Sequence, residues 1–279
     1  MSEAANVDKS AQPVLRIFTY LPNPRLWKAQ ITARIAGVDI DVRGAKPPEL
    51  ANWLWDFDAR PLDEAGKAEH AASARQSHTG FKTTLYKTDA FLATQPFGTV
   101  PAAFSPDGAT GVFESNSIMR AVARAAPDVG LYGADPYSAS RIDGFLDASL
   151  AFARDSQHYL LALGGGSVSR ELHERMRDSY AVYMGGMERA LAQGEGYLCG
   201  AALTLADICF ACELALFSRE PKMAARATFG GEGDGAMVPR IAAELRADAQ
   251  SAFPQAIAHA LKLAAHPAFA ADMQPYLAK

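Results

Sequence analysis

The chain has 279 residues, of which 49% are hydrophobic and 21% charged, and its formal net charge at pH 7 is −4. This length allows a sizeable core in one large domain or two smaller ones. The negative balance and the scattered Lys and Arg residues argue against a nucleic-acid-binding surface. No apolar run reaches the ~20 residues that cross a bilayer, and the first residues lack the apolar stretch of a signal peptide, so a cytoplasmic location is expected.

The beginning of the chain predicts a β-α-β unit. The run VLRIFTY, from Val14 to Tyr20, has the composition of a strand. The run PRLWKAQITARIAG predicts a helix that ends at Gly37, and VDIDV predicts a second strand.

A polar segment from Glu49 to Thr79 follows and predicts an irregular insertion, far longer than the usual connection of a few residues. Its aromatic residues Trp53, Trp55 and Phe57 either anchor the insertion to the core, which is the favoured interpretation, or wall an aromatic substrate pocket or a dimer contact. His70 and His78 lie in the same insertion without a paired acid at a metal-ligand spacing, and are expected to be solvated.

The next elements predict a helix, a β-hairpin and another helix. DAFLATQP predicts a short helix; PAAFS and GVFES predict strands joined by a turn at Pro106 to Gly108. SNSIMRAVARAA restores the helical period.

Beyond Pro127 the pattern is almost entirely helical. The sequence therefore predicts an α/β domain at 13–126, with an insertion at about 49–80, and an all-helical domain at 137–279. The Ala- and Gly-rich segment PKMAARATFGGEGDGAMVP predicts a flexible loop between helices.

No metal site or disulfide framework is expected. Cys209 and Cys212 have a C-x-x-C spacing, but they lie in an apolar helical run without further ligands, so buried reduced thiols are favoured. The third cysteine is Cys199, and an odd number of cysteines suits reduced thiols. The remaining histidines lie singly on helical stretches and form no metal or triad pattern: His158, His173, His259 and His266.

Two motifs point to a binding site. Val100-Pro101 begins the third predicted strand, and Glu114-Ser115 ends a strand and opens a helix. The first free N–H groups of that helix and the Ser115 hydroxyl would converge on a spot suited to a carboxylate. Taken singly, Val100-Pro101 is equally an ordinary turn and Ser115 a helix cap.

Together these motifs resemble the glutathione transferase superfamily, through FLATQPFGTVPAAF, VFESNSIM and LTLADICF. The resemblance covers most of 13–221 and includes the tail FPQAIAHALKLAAHPAF. It implies a thioredoxin-like N-terminal domain that binds glutathione as co-substrate and a helical C-terminal domain that supplies the pocket for a hydrophobic aromatic small molecule. It also implies a dimer, with the same chain or a homologous chain as partner. The most similar branches are the glutathione-transferase-like domain of translation elongation factor 1B gamma and the bacterial glutathione-dependent aryl-ether-cleaving enzymes (beta-etherases).

The resemblance also implies roles for individual residues. Val100 matches the position whose backbone pairs with the cysteinyl part of glutathione, and Pro101 matches a cis-proline. Glu114 and Ser115 match the pair that holds the γ-glutamyl end. Thr99 stands where many members have a lysine in a G-K-V-P pattern, so one contact to the glycine carboxylate is either absent or supplied elsewhere.

A further motif, TLAD from Thr204 to Asp207, matches a helix cap with a structural role. The catalytic position aligns with Asn23, where the family's enzymes carry Ser, Tyr or Cys. An amide donates a hydrogen bond to a thiolate but cannot exchange a proton at neutral pH, so activation would rest on that bond and on the start of the first helix. Tyr20 and Thr19 are the alternatives, and strand alternation lets only one of them face the sulfur. Asn23 is equally well explained as the N-cap of the first helix.

Two functional classes follow. One is a glutathione transferase that presents a thiolate to an aromatic electrophile, by conjugation or by ether cleavage. The other is a weakly active or non-catalytic binding subunit, in which the fold is kept without turnover.

Overall fold

A computed structural model describes residues 12–77, 81, 83–230, 235–246 and 250–277. The chain divides into two compact units between Ala126 and Pro127. In chain order the first unit contains β1 (Leu15–Tyr20), α1 (Pro24–Ala36), β2 (Ile40–Ala45), a 3-10 helix (Pro47–Asn52), β3 (Trp53–Trp55), β4 (Arg60–Pro61), α2 (Glu64–Glu69), a 3-10 helix (Ala71–Ser73), β5 (Ala74–Gln76), β6 (Thr84–Lys87), α3 (Asp89–Thr94), β7 (Ala102–Phe104), β8 (Gly111–Phe113) and α4 (Ser115–Arg124).

The main sheet of this unit has the strand order β2-β1-β7-β8. Strand β1 pairs in parallel with β2 and antiparallel with β7, and β7 pairs antiparallel with β8. Strands β1 and β8 therefore run in the same direction. Each of them leads directly into a helix, α1 and α4 respectively, so both helices begin at the same end of the sheet.

One face of the main sheet is covered by α1 and α4. Leu15 and Ile17 of β1 pack there with Leu26 of α1 and with Ile118 and Val122 of α4. This is the alternation expected of a strand, in which every second side chain points to one face. The predicted β-α-β unit, hairpin and helix are all present, which confirms the expected thioredoxin-like arrangement.

The insertion differs from the prediction of an irregular segment. Its short strands β3, β4 and β5 form a second sheet with β6, which follows the insertion; the strand order is β4-β3-β6-β5, and β3 and β6 are parallel. Strands of two to four residues are too short to show a hydrophobic period in the sequence, and they pair with distant parts of the chain. His70 caps the end of α2, whereas His78 lies outside the described residues.

The aromatic residues of the insertion anchor it to the main sheet. Trp55 is 1% exposed and meets Phe18 of β1 edge-on, with ring centroids 5.3 Å apart. Trp53 stacks on the same Phe18 ring, and Phe57 meets Phe104 of β7 edge-on. These contacts support the favoured interpretation that the cluster is part of the core.

The second unit is mainly helical. Its elements are a 3-10 helix (Pro127–Val129), α5 (Pro136–Gly164), β9 (Ser167–Val168), α6 (Arg170–Gln193), α7 (Leu205–Phe217), α8 (Glu220–Ala224), β10 (Thr228–Phe229), α9 (Pro254–Ala265) and α10 (Pro267–Leu277). The sequence predicted the long helices but not the pairing of β9 with β10. None of the helices in the described ranges is long and apolar enough to cross a membrane.

The segment predicted as a flexible loop carries α8 and β10 in its described part. Glu220, at the start of α8, is fully buried, and its two carboxylate oxygens accept the backbone N–H groups of Ile241 and Ala242 at 2.9 and 3.0 Å. Burial raises the pKa of the Glu220 carboxyl group. The Tyr159 hydroxyl also donates to Glu220, at 3.4 Å. A buried acid at the start of α8 therefore connects α8 to α5 and to the backbone that follows this segment.

Helix α7 lies in the centre of the second unit. Cys209 and Cys212 are both fully buried on it, which agrees with the prediction that they are core residues. At its start, the Asp207 carboxylate is also fully buried and accepts the backbone N–H groups of Leu198 and Thr204 at 3.0 and 2.9 Å. His259 of α9 lies 2.8 Å from the same carboxylate. The TLAD motif is thus a cap that also joins two helices and a loop.

We expect Asp207→Ala to lower the free energy of unfolding by about 3 kcal/mol, because two buried N–H groups would lose their acceptor. Urea unfolding followed by circular dichroism measures this. Asp178→Ala on α6 is the matched control, since the Asp178 side chain is 73% exposed, and it should change stability by no more than about 0.5 kcal/mol. An Asp207→Ala protein as stable as the control would contradict the role of this carboxylate.

Candidate functional site

Three chain segments meet at the end of the main sheet where α1 and α4 begin. Ala102, the first residue of β7, pairs with Phe18 of β1 and with Phe113 of β8. Val100 lies two residues before Ala102, Tyr20 two residues after Phe18 and Ser115 two residues after Phe113, so all three lie at the same end of the sheet. The sequence-predicted residues of β1, β7 and α4 are therefore close together.

Val100 lies just before β7, outside the paired residues of the sheet. The Val100–Pro101 peptide bond is cis, and the main-chain groups of Val100 form no hydrogen bond with another described residue. A backbone N–H and C=O that are left without an internal partner can pair with an extended peptide ligand in the manner of an added strand.

Glu114 shapes the start of α4. It is the N-cap residue and has φ 67° and ψ 125°. A positive φ is unfavourable for a residue with a Cβ atom and costs of order 1–3 kcal/mol. The surrounding structure therefore holds a strained turn just before Ser115, which brings the half-buried Ser115 and the first N–H groups of α4 to the end of the sheet.

The junction of β1 and α1 positions the three candidate catalytic residues. Asn23 is 1% exposed; its Oδ1 accepts the Arg25 N–H at 2.9 Å, and its Nδ2 donates to Thr19 Oγ1 at 3.0 Å. Asn23 is thus the N-cap of α1, as one of the two sequence interpretations predicted.

Thr19 and Tyr20 point to opposite faces of the sheet. Thr19 is fully buried on the side of Asn23, whereas Tyr20 packs against the buried cluster that contains Phe18 and Trp55, on the side of the insertion. Gly44 on β2 lies against Thr19: a Cβ atom there would be 1.7 Å from the Thr19 carbonyl oxygen, and its φ is 157°. Glycine is therefore required at position 44 for the close approach of β2 to the end of β1.

Two lysines at this end of the sheet were not predicted from the sequence. Lys87, the last residue of β6, donates from Nζ to the Gly98 carbonyl oxygen at 2.7 Å, next to Thr99 and Val100. Its Nζ lies 4.9 Å from the centre of the Trp55 ring, and burial, with the nearby Arg75 charge as the second cause, lowers the pKa of the Lys87 ammonium.

Lys28 on α1 is 1% exposed and donates from Nζ to Asn116 Oδ1 at 2.8 Å. In a helical pattern Lys28 looks like any solvated lysine, and its partner is far away in the sequence, so no local signal could have found the pair.

The described residues contain no group of three or more His, Cys, Asp or Glu side chains that could hold a metal ion. Two of the histidines expected to be lone residues form buried hydrogen bonds instead. His259 contacts Asp207, and His173 Nδ1 lies 2.9 Å from the Tyr159 hydroxyl oxygen. Burial lowers the pKa of the His173 imidazole.

Solved structures share this architecture along nearly the whole chain. A glutathione S-transferase from the Antarctic clam Laternula elliptica is similar over 95% of this chain and 94% of its own, with a TM-score of 0.58 and 18% identity. A glutathione S-transferase from Methylobacillus flagellatus, solved with glutathione bound, is similar over 92% of this chain and 98% of its own, with a TM-score of 0.60 and 12% identity. The chain has the glutathione transferase fold. This confirms the fold expected from the sequence motifs.

Comparison of sequences finds similarity to proteins named as elongation factor 1-gamma. Elongation factor 1-gamma 3 of Oryza sativa subsp. japonica is 35% identical over 130 residues, which are 46% of this chain and 30% of the relative. The similarity to the curated relatives therefore spans less than a third of their length. No protein-family model matches the chain.

Proposed function

We propose that the first unit of this chain binds glutathione and presents its thiolate to a hydrophobic aromatic electrophile, as a glutathione transferase. The observation that carries the proposal is the arrangement at the end of the main sheet. The main-chain groups of Val100 form no hydrogen bond with another described residue, and α4 begins with Ser115 at the same end of the sheet. The similarity of the fold to solved transferases, one of them with glutathione bound, supports the same ligand.

The ligand would lie alongside Val100 as a short extended strand. Its cysteinyl residue would pair with the N–H and C=O of Val100, before the cis Pro101. Its γ-glutamyl carboxylate would accept hydrogen bonds from Ser115 and the first N–H groups of α4, where the helix dipole favours negative charge. Glu114 would face the ammonium group at the same end.

The glycine carboxylate would lie near Lys87. Thr99 occupies the position at which related motifs carry lysine, and a threonine hydroxyl supplies no charge. The Lys87 ammonium at the Gly98 carbonyl provides a positive charge beside Thr99 from another strand. We propose that Lys87 supplies the contact that Thr99 does not.

The chemistry would begin with loss of the thiol proton to water. The dipole at the start of α1 would favour the thiolate, and Asn23 or the hydroxyl of Thr19 or Tyr20 would stabilise it by a hydrogen bond. The sulfur lone pair would then form a bond to the electrophilic carbon, and in conjugation the bond from that carbon to its leaving group breaks, so that the leaving group departs with the electron pair. In aryl ether cleavage the C–O bond breaks as the C–S bond forms, and the phenolate takes a proton from water.

A second candidate is a glutathione-binding or structural subunit with little or no turnover. Asn23 favours it, because its side chain is 1% exposed and already caps α1 and binds Thr19. The similarity to proteins named as elongation factor 1-gamma points in the same direction. Turnover assays with glutathione and aromatic electrophiles distinguish the two, since only the transferase consumes the electrophile.

Ser115→Ala should weaken glutathione binding by about 1–3 kcal/mol, because the γ-glutamyl carboxylate would lose a charge-assisted hydrogen bond. Isothermal titration calorimetry measures the change. Ser117→Ala, a hydroxyl removed two residues further along the same helix, is the control and should leave the affinity unchanged. Equal affinities of the two variants would remove Ser115 from the site.

Lys87→Met should reduce the preference of the protein for glutathione over its glycine monoethyl ester by about tenfold, because the ester has no charge for Lys87 to bind. The two dissociation constants of each variant give this ratio. Lys67→Met serves as the control, since Lys67 pairs with Glu64 on α2. If the ratio is the same for Lys87→Met as for the unsubstituted protein, the glycine end lies elsewhere.

The bound thiol should have a pKa below the ~8.5 of free cysteine. Asn23→Ala should raise this pKa and slow turnover, because it removes both a hydrogen-bond donor and the cap of α1, whereas Tyr20→Phe should change little. Ultraviolet titration of bound glutathione follows the thiolate directly. A raised pKa in Tyr20→Phe, with none in Asn23→Ala, would transfer the role to Tyr20.

We also propose that the protein is a dimer, either of two identical chains or with a homologous chain, formed by the first unit of one chain and the helical unit of the other. Light scattering of the purified chain at micromolar concentration should give twice the monomer mass of 29.8 kDa. A monomer mass that stays unchanged when a homologous chain from the same source is added would contradict this.

A further inference from the structure

Lys28 is an unusual residue for the interior of a helix-packed unit. It lies in the middle of α1, on the side that packs against α4, and only 1% of it is exposed. Lysine is almost never buried to this degree unless its ammonium is engaged, because removing the charge from water is costly. A leucine or methionine would fill the same space without burying a charge, so we look for a role of the ammonium group.

Two hydrogen-bond acceptors of the Lys28 ammonium lie at the start of α4. Lys28 Nζ lies 2.8 Å from Asn116 Oδ1 and 3.4 Å from Ser115 Oγ. Ser115 and Asn116 are the first two residues of α4 and follow the strained Glu114. The ammonium therefore lies directly behind the place proposed for the γ-glutamyl carboxylate.

The direction of these hydrogen bonds follows from the chemistry of the groups. A lysine ammonium has three donors and no acceptor, so Ser115 Oγ and Asn116 Oδ1 can only accept from it. A serine hydroxyl has one hydrogen, which must then point away from Lys28. That orientation suits donation to a carboxylate on the other side and is wrong for a ligand group that itself donates, such as an amide NH₂.

We propose that Lys28 is a positioning residue that makes the Ser115 subsite selective for a carboxylate over a neutral carboxamide. It acts through Ser115, whose hydroxyl hydrogen it directs toward the ligand, and through Asn116, whose side-chain oxygen it holds. Its positive charge adds an attraction for the ligand's negative charge across a short, buried distance. This inference rests on the proposed binding of glutathione.

The test compares two ligands by calorimetry: glutathione, and the analogue in which the α-carboxylate of the γ-glutamyl residue is a carboxamide. The unsubstituted protein should prefer glutathione, and K28M should reduce that preference by roughly tenfold while changing the affinity for the carboxamide less than about twofold. K87M is the matched control, because it removes a lysine at the other end of the proposed ligand and should leave this preference intact. In a K28M/S115A double variant, the loss should be smaller than the sum of the two single losses, because both act on one carboxylate.

A second variant, Asn116→Asp, tests the same role without removing Lys28, in case K28M does not fold. Asn116→Asp keeps the size of the side chain and the contact to Lys28 but neutralises its charge, so it should also reduce the preference for the carboxylate. If K28M or Asn116→Asp weakens both ligands equally, Lys28 has only a packing role and the proposal is wrong. If the unsubstituted protein binds glutathione and both variants keep its preference, this inference alone fails. If the unsubstituted protein binds no glutathione, the proposed function fails with it.

Discussion

The direction of one strand determines where the candidate site lies. Because β7 runs antiparallel to both of its neighbours, β1 and β8 point the same way, and the helices that follow them begin at one end of the sheet. Between those two helix starts, the chain enters β7 through Val100 and Pro101. The main-chain groups of Val100 and the positive ends of two helix dipoles are thus placed at one end of the sheet by topology, before any particular side chain is considered.

The side chains then specialise this end of the sheet. On one face of the sheet, the buried Thr19 and Asn23 are hydrogen-bonded to each other at the start of α1. On the other face, Tyr20 packs against the aromatic cluster of the insertion. Behind the start of α4, Lys28 fixes the polar atoms of Ser115 and Asn116. Within the first unit, these contacts tie the candidate binding groups to buried atoms, which is the condition for a preorganised site.

In the helical unit, two buried carboxylates connect segments that are distant in the sequence. Asp207 joins the start of α7 to the loop at Leu198 and to His259 on α9. Glu220 joins α8 to the backbone at Ile241. In each case a carboxylate satisfies backbone N–H groups that would otherwise be buried without a partner, and so connects segments that hydrophobic packing alone would leave loosely defined.

The sequence predicts what is encoded locally. The period and caps of α1, the turn between β7 and β8, the Val-Pro and Glu-Ser motifs and the TLAD cap can each be read within a few residues. The second sheet could not be predicted, since strands such as β4 and β5 are too short for a period and β3 pairs with the distant β6. Lys28 and Lys87 were missed for the same reason: their polar partners are 88 and 11 residues away.

The central claim is that a glutathione molecule binds alongside the main chain of Val100. A crystal structure of the protein soaked with glutathione tests it most directly. The account predicts that the cysteinyl main chain pairs with the N–H and C=O of Val100, that the γ-glutamyl carboxylate contacts Ser115, and that the sulfur lies at the start of α1. Glutathione bound away from Val100, or no bound glutathione at saturating concentration, would contradict it.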